Sequence, residues 1–92
     1  MDMATPPSER ERIMNVNYSI LEERLARFVP FNGNSMSGAW DDDVFFVYSY
    51  STIIASHHSK DDTRFLNSKK YSATTTRHQN IVRRAWGDVI EF

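Results

Sequence analysis

The stretch that most constrains the fold is residues 44–50, VFFVYSY, which alternates like a β-strand but has apolar side chains on both faces. Successive side chains of a strand point to opposite faces. One face has Phe45, Val47 and Ser49, and the other has Phe46, Tyr48 and Tyr50. This pattern predicts a central strand that a helix covers on one side and that is partly covered on the other.

Neighbouring segments predict two more strands. Residues 35–40 form the strand before the central one, and the polar residues 41–43 make a tight connection between the two. Residues 52–56 form the strand after it, with a bulge or a hairpin corner at residues 49–51. Residues 31–34, FNGN, are a turn by composition.

The chain that follows these strands contains a loop and a fourth candidate strand pairing. Residues 57–62, HHSKDD, have the composition of a loop. Residues 63–66 and 69–72 can pair as a short hairpin across Asn67 and Ser68. The sheet is therefore expected to have three or four strands.

A helix is predicted before the strands. The sequence S-x-x-E fits a capping box at residues 8–11 and again at residues 19–22. Apolar residues recur at steps of three and four, at Met14, Tyr18, Leu21, Leu25 and Phe28. We favour one helix over residues 9–28, although weak helix formers in its middle leave a shorter helix over residues 19–28 open. Pro30 ends the helix in either case.

A second helix is predicted near the end of the chain. Either threonine of residues 75–76 can cap it, and it extends to Trp86, with Gly87 in the position that favours a left-handed backbone. The side chains expected to face the sheet are Ile81, Val82, Ala85, Trp86 and Val89. Arg77 and Arg84, seven residues apart, lie on the opposite, exposed side of this helix.

The order of elements predicts an α+β fold, with a small antiparallel sheet of three to four strands packed against an N-terminal and a C-terminal helix. We expect residues 1–7 to be a flexible leader and residues 8–92 to be a single domain. The chain has no cysteine, so its stability depends on the burial of apolar side chains. Its aromatic content of 13% provides many of the side chains to be buried. No apolar run approaches the roughly 18–20 residues needed to cross a bilayer, and no signal segment is found, so we expect a soluble protein in a reducing cytoplasm.

Charge is unevenly distributed along the chain, although the net charge is only −1. Residues 1–59 contain eight acidic side chains and four arginines, whereas residues 60–86 contain seven basic side chains and two aspartates. This distribution predicts a basic end that can meet an anionic partner. An ordinary solubilising pattern of surface charge is the alternative.

The sequence contains the residue types that metal binding and catalysis need, but these residues do not have the spacing of a recognised site. His57 and His58 are adjacent, so on a strand they point to opposite faces and cannot both readily hold one ion. Tyr71, Arg77 and His78 have the chemistry of a small nuclease site, in which a histidine transfers protons and an arginine holds a phosphate. Nothing fixes them in mutual reach, so we predict no catalytic residue, no metal and no cofactor.

Binding to another macromolecule is the remaining class of function. The candidate partner-binding residues are Tyr48, Tyr50, Lys69, Lys70, Tyr71, Arg77, His78, Arg83 and Arg84. Their cations can contact phosphates and their tyrosines can stack on bases, and the order of elements shares its outline with the double-stranded RNA-binding domain. A protein partner is slightly favoured, because the net charge of the chain is negative. Trp40, Tyr50 and the arginines are also residue types typical of interface hot spots.

Three segments resemble those of a family of small bacteriophage-encoded proteins: residues 32–37 (NGNSMS), 47–55 (VYSYSTIIA) and 69–79 (KKYSATTTRHQ). That family has GNSMSA-like, YSYxTxIA-like and KYSxTTxRHQ-like segments in the same order, and the similarity covers about residues 31–80. Residues 56–62 depart from it, because they are longer and more charged than the expected turn. The family has no assigned activity.

The resemblance implies a phage or prophage accessory protein that acts in the cytoplasm of the bacterial host. We expect it to be non-enzymatic and to bind and inhibit or modulate a host protein or protein–nucleic-acid complex, including a defence system. Direct binding of DNA or RNA through residues 69–84 is the alternative. The oligomeric state is open, since an exposed sheet edge can pair in a dimer.

Overall fold

The computed structural model describes residues 20–33 and 35–92, in which two helices pack on a six-stranded sheet. The elements are α1 (residues 20–27), β1 (Phe31–Asn32), β2 (Met36–Asp41), β3 (Val44–Ser49), β4 (Thr52–His58), β5 (Thr63–Leu66), α2 (Ala73–Trp86) and β6 (Ile90–Glu91). The predicted α+β class is confirmed. The predicted number of strands is too low, because β1 and β6 have only two residues each and give no periodicity to detect.

The strands follow the order of the chain across the sheet, from β1 to β6. Strands β1 to β5 are antiparallel to their neighbours, whereas β6 pairs with β5 in parallel, so the sheet is mixed. The turns at residues 42–43 and 59–62 lie at one end of the sheet. Gly33, Ser35, the turn at residues 50–51 and the loop at residues 67–72 lie at the opposite end.

The central strand and its two hairpins follow the sequence-based prediction. The polar connection is a two-residue turn between Asp41 and Val44, and the corner after β3 is a second two-residue turn between Ser49 and Thr52. A bulge is also present, but it lies inside the next strand. The pairing shifts by one residue after Val47, which leaves Ile54 as the extra residue of β4.

The predicted strand at residues 69–72 is wrong, because residues 67–72 have no regular secondary structure. The side chain of Asn67 competes for the backbone there, and its Oδ1 accepts a hydrogen bond from the Lys69 N–H at 2.9 Å. Strand β6 takes the position beside β5 that the predicted hairpin would have used.

The predicted loop at residues 57–62 starts too early, because His57 and His58 are the last residues of β4. They pair with β3 on one side and with β5 on the other, and this pairing outweighs their loop-like composition. The predicted turn at residues 31–34 likewise begins with β1, which pairs with β2. Asn34, in that predicted turn, lies outside the described residues.

Both helices pack on one face of the sheet and enclose the apolar core. Its buried members are Leu21, Leu25, Phe31, Met36, Phe45, Val47, Ile54, Ala55, Leu66, Ile81, Val82 and Trp86. The predicted sheet-facing side of α2 is confirmed, and Ala85 and Val89 pack against the same core while partly buried. A side chain at Gly38 would start 2.6 Å from the Phe31 ring and 2.7 Å from the Phe45 ring, so only glycine fits there.

The helices end as the sequence predicts. Helix α1 stops before Pro30, and two indoles bond the carbonyls at its end: Trp86 Nε1 donates to Leu25 O at 2.8 Å and Trp40 Nε1 donates to Phe28 O at 2.9 Å. Helix α2 ends at Gly87, whose φ is 75°. Other predictions for α1 lie outside the described residues: the leader at 1–7, both capping serines, Met14, Tyr18 and the position where the helix starts.

The opposite face of the sheet is not covered by any element of the described residues. Phe46, Tyr48 and Phe65 lie on it half-buried by their neighbours, and Ile53 is exposed. The described strands place no lysine or arginine on this open face. Neither helix, over the residues that the structure describes, has the length and apolar character to cross a membrane.

Candidate partner-binding surface

The segment that leads into α2 is shaped by a serine cap. The helix begins at Ala73, and the preceding Ser72 has extended backbone, with φ −144° and ψ 169°. Ser72 Oγ accepts a hydrogen bond from the Thr75 N–H at 3.2 Å. The prediction that Thr75 or Thr76 is the cap is therefore wrong, because both threonines already lie in the first turn of the helix.

A buried cluster of one imidazole and three hydroxyl groups lies beneath this turn; we call it the histidine cluster. Its members are Ser35, Ser49, Thr75 and His78. His78 is completely buried, with Nδ1 2.7 Å from Ser49 Oγ and Nε2 3.2 Å from Ser35 Oγ. Ser49 Oγ also lies 2.9 Å from Thr75 Oγ1. A neutral imidazole has one donor and one acceptor nitrogen, so the two serine hydroxyls have opposite roles toward His78.

His78 is held in its neutral form. Burial lowers the pKa of the imidazole, and the neighbouring positive charge of Arg77 lowers this pKa further. The hydrogen bonds of the histidine cluster are therefore bonds between uncharged groups at neutral pH.

The histidine cluster joins three parts of the chain at one end of the molecule. Ser35 belongs to the turn before β2, Ser49 ends β3, and His78 lies in α2. The carbonyl of Ser35 also accepts a hydrogen bond from the Tyr50 N–H at 2.7 Å, which fixes the next turn to the first one. Residues from segments 32–37, 47–55 and 69–79, which the sequence analysis singles out, thus meet at this cluster.

Gln79, the residue after the histidine, holds the loop that precedes the helix. Its Nε2 donates to Asn67 O at 2.6 Å and to Lys69 O at 3.0 Å. Within the loop, Asn67 Nδ2 donates to the hydroxyl of Tyr71 at 2.8 Å, and Lys69 Nζ lies 5.5 Å from the centre of the Tyr71 ring. The loop therefore has a defined path without belonging to a strand.

Five exposed side chains surround this end of the molecule. Tyr50 is 61% exposed and Tyr71 is 43% exposed. Among the residues that the structure describes, none of the three neighbouring cations has a carboxylate within ion-pairing distance. We call this set the basic tyrosine surface; it consists of Tyr50, Lys69, Lys70, Tyr71 and Arg77.

The two remaining predicted arginines are paired with carboxylates of the protein itself. Arg83 donates two hydrogen bonds to Glu91, at 2.8 and 2.9 Å, which raise the pKa of Arg83 and lower the pKa of Glu91. Arg84 Nη2 lies 3.4 Å from Glu22 Oε1. Part of the basic end predicted from the sequence is therefore neutralised within the molecule.

Two further predicted residues lie away from the basic tyrosine surface. Tyr48 lies on the open face of the sheet, between Ser37 and Ile53. His78 was predicted at the contact surface, and this is corrected by its complete burial. Whether the exposed residues bind a partner stays a prediction.

The burial of His78 could have been predicted from the helical spacing of the buried residues, but several of these residues are polar. Helix α2 buries Thr75, His78, Gln79, Ile81, Val82 and Trp86, which recur at steps of three and four. The sequence-based prediction starts the buried stripe at Ile81, because its earlier members, Thr75, His78 and Gln79, are polar. Their polar atoms are bonded within the protein, and such bonding makes the burial of polar side chains acceptable.

His57 and His58 point to opposite faces of the sheet, as expected for neighbours on a strand. The imidazole of His57 is stacked on the Phe28 ring, with 3.8 Å between ring centres, and its Nδ1 accepts a hydrogen bond from Arg64 Nε at 3.4 Å. Burial and then the charge of Arg64 lower the pKa of His57. Over residues 20–33 and 35–92, no three histidine or carboxylate side chains are grouped to hold a metal ion.

One comparison with known proteins found a match. A family described as a family of unknown function matches residues 11–85, which include α1 and all but the last residue of α2. Searches of the curated proteins and of the solved structures found no match.

Proposed function

Because the chain belongs to this family, DUF8033, whose function is unknown, we propose its function from the site: a non-enzymatic module that binds a protein partner. The basic tyrosine surface contacts an acidic area of that partner. The observation that carries this proposal is a set of three exposed cations, next to two exposed tyrosines, for which residues 20–33 and 35–92 provide no carboxylate at ion-pairing distance. Tyrosine and arginine are enriched at the centres of protein interfaces.

The proposed partner is a host protein or protein–nucleic-acid complex in the bacterial cytoplasm. This part of the proposal comes from the resemblance to small phage proteins at residues 32–37, 47–55 and 69–79. Inhibition or modulation of a defence system is the role that we infer for such a contact.

Direct binding of DNA or RNA is the second candidate, since the same cations can contact phosphates and the same tyrosines can stack on bases. The number of available cations speaks against it. Three phosphate contacts give a salt dependence of about 2.7 log units of affinity per log unit of salt, at about 0.9 for each contact. Many DNA-binding proteins make more contacts, and here Arg83 and Arg84 are already neutralised by Glu91 and Glu22.

A nuclease built on His78 has weaker support than either kind of binding. The short contact between Ser49 Oγ and His78 Nδ1 has the geometry of a nucleophile and its base. However, Ser49 is 1% exposed and His78 is 0% exposed, so a substrate has no access to either group in this structure. Turnover of a phosphodiester by the wild type that His78→Ala abolishes, at an unchanged melting temperature, would contradict a binding function.

Two arginines of α2 provide a matched test of the proposed surface. Arg77 and Arg84 are both exposed, but within the described part of the chain only Arg84 has a carboxylate partner. Wild type, Arg77→Ala, Arg84→Ala and the double variant Lys69→Ala/Lys70→Ala are used as baits in bacterial lysate, and captured proteins are quantified by mass spectrometry. We expect a partner that wild type and Arg84→Ala retain and that the other two variants lose. Equal capture by all four baits contradicts the proposal.

A salt titration with duplex DNA tests the second candidate. If DNA is the ligand, affinity falls steeply with salt, and Arg77→Ala reduces the slope by about 0.9 while Arg84→Ala leaves it unchanged. If the ligand is a protein, DNA binding is weak and neither substitution changes it.

A further inference from the structure

Tyr50 has a backbone conformation that its side chain does not explain. Its φ is 57°, in the left-handed region of backbone conformation that residues other than glycine, asparagine and aspartate rarely adopt. It occupies the first position of a two-residue hairpin turn, where glycine is the usual residue when φ is positive.

The other described residues with positive φ, apart from glycine, have structural reasons for it. Asp42 and Asp62 are of a type that tolerates this region, and both lie in turns. Phe28 follows α1, and its ring packs on His57, at 3.8 Å between ring centres, and on Trp86, at 5.7 Å. Tyr50 differs, because it is 61% exposed and the nearest ring among the described residues, that of His78, is 6.3 Å away between ring centres.

The histidine cluster holds this strained turn on its N-terminal side. Before Tyr50, the side chain of Ser49 bonds to His78 and Thr75, and the Tyr50 N–H donates to the carbonyl of Ser35 at 2.7 Å. Strained backbone persists only where its surroundings fix it, and such positions concentrate at binding sites. The buried bonds therefore keep an aromatic ring in solvent, where it adds little to the stability of the fold.

We propose that Tyr50 anchors the basic tyrosine surface to its partner, and that the partner is an acidic protein segment with an apolar pocket for the tyrosine ring. This inference rests on the proposed function. Lys69, Lys70 and Arg77 then supply the attraction for acidic side chains, whereas Tyr50 supplies the buried contact.

Stability provides a test that needs no partner. Tyr50→Gly removes the strain and loses little packing, so its melting temperature rises by roughly 4 °C. Asp42→Gly is the matched control, because Asp42 has a φ of 55° at the same position of the other two-residue turn. The rise at Asp42 is smaller, since aspartate tolerates this conformation. A lower melting temperature for Tyr50→Gly would show that the ring serves the fold and would overturn the inference.

Binding provides the second test, with peptides selected by wild-type protein from a random dodecapeptide library as the probe. We expect the selected peptides to be rich in aspartate and glutamate and to contain an apolar residue. Tyr50→Gly and Tyr50→Asn, which both permit a positive φ, lower the affinity for these peptides by about tenfold or more, and Asp42→Gly leaves it unchanged.

The outcomes separate the two proposals. Acidic peptides that bind Tyr50→Gly as tightly as wild type overturn the role of Tyr50 and leave the proposed function intact. Selected peptides without acidic residues overturn the proposed function. Oligothymidylate that binds wild type tightly and loses affinity in Tyr50→Gly, in the absence of selected acidic peptides, assigns the surface to nucleic acid and overturns the protein partner.

Discussion

At the scale of single residues, His78 shows how a side chain with catalytic chemistry can serve structure. Its two ring nitrogens contact Ser49 and Ser35, and through them the imidazole joins two turns to α2. The neutral form suits this role, because burial removes the hydration that a charged imidazole would need. Protonation of His78 should therefore weaken the fold.

The first prediction concerns the pH dependence of stability. Both His57 and His78 have a pKa below the ordinary value of 6.5 in the folded protein. Above that value neither the folded nor the unfolded chain binds these protons, so the two histidines do not reduce the unfolding free energy. As the pH falls below it, the unfolded chain binds protons that the folded protein does not, and stability decreases. We expect the unfolding free energy, measured with urea between pH 7 and pH 5.5, to decline toward acid.

Single substitutions show which histidine causes this decline in the unfolding free energy. One histidine contributes a slope of at most about 1.4 kcal/mol per pH unit, so His57→Gln and His78→Gln each remove part of the slope. A slope that is the same in wild type and both variants would show that neither histidine is responsible.

At the scale of elements, the sequence predicts those strands and turns whose residues pair with residues nearby in the chain. Alternation in residues 44–50 and the polar turns at residues 41–43 and 49–51 predicted the centre of the sheet, because hairpins are local. Strands β1 and β6 are two residues long and exist through pairing alone, so no local signal predicts them. The path of residues 69–72 depends on Gln79, which bonds the Lys69 carbonyl from the helix.

The candidate site was predicted in part for the same reason. The exposure of Lys69 and Lys70 follows from their charge, although residues 69–72 are predicted as a strand, and the exposure of Arg77 follows from the helical pattern. The carboxylates that neutralise Arg83 and Arg84 come from other elements, eight and 62 residues away in sequence, and no spacing rule reaches them.

The second prediction tests the start of α2. Ser72 caps the helix, whereas Thr76 lies in its first turn. Ser72→Ala should lower the unfolding free energy by about 1 kcal/mol, a typical loss for a removed cap. Thr76→Ala should change it by about 0.5 kcal/mol or less, since the substitution removes no cap and alanine is the better helix former. Urea unfolding of both variants checks this, and a larger loss in Thr76→Ala would contradict the cap assignment.

At the scale of the whole molecule, the arrangement of charge matters more than the net charge of −1. Glu22 and Glu91 neutralise two arginines in the C-terminal half of α2, whereas Lys69, Lys70 and Arg77 lie at its N-terminal end with the exposed tyrosines. The internal carboxylates thereby limit the basic area along α2 to the N-terminal end of that helix. Exposed ion pairs add little stability, so this restriction of the surface is their larger effect.

The third prediction follows from that restriction. The double variant Glu22→Gln/Glu91→Gln releases Arg84 and Arg83, and its affinity for duplex DNA should exceed that of wild type. The dependence of log affinity on log salt should steepen by about 1.8, at about 0.9 for each released arginine. Fluorescence anisotropy at several salt concentrations measures the slope, and an unchanged slope would show that the carboxylates do not limit anion binding.

The most direct test of the central claim, that the basic tyrosine surface binds the partner, is an NMR map of amide shifts while a selected acidic peptide is added. The account predicts shifts confined to residues 49–51 and 69–77, which surround Tyr50 and the start of α2. Shifts centred instead on Phe46 and Phe65 of the open sheet face, with residues 69–77 unchanged, would contradict it.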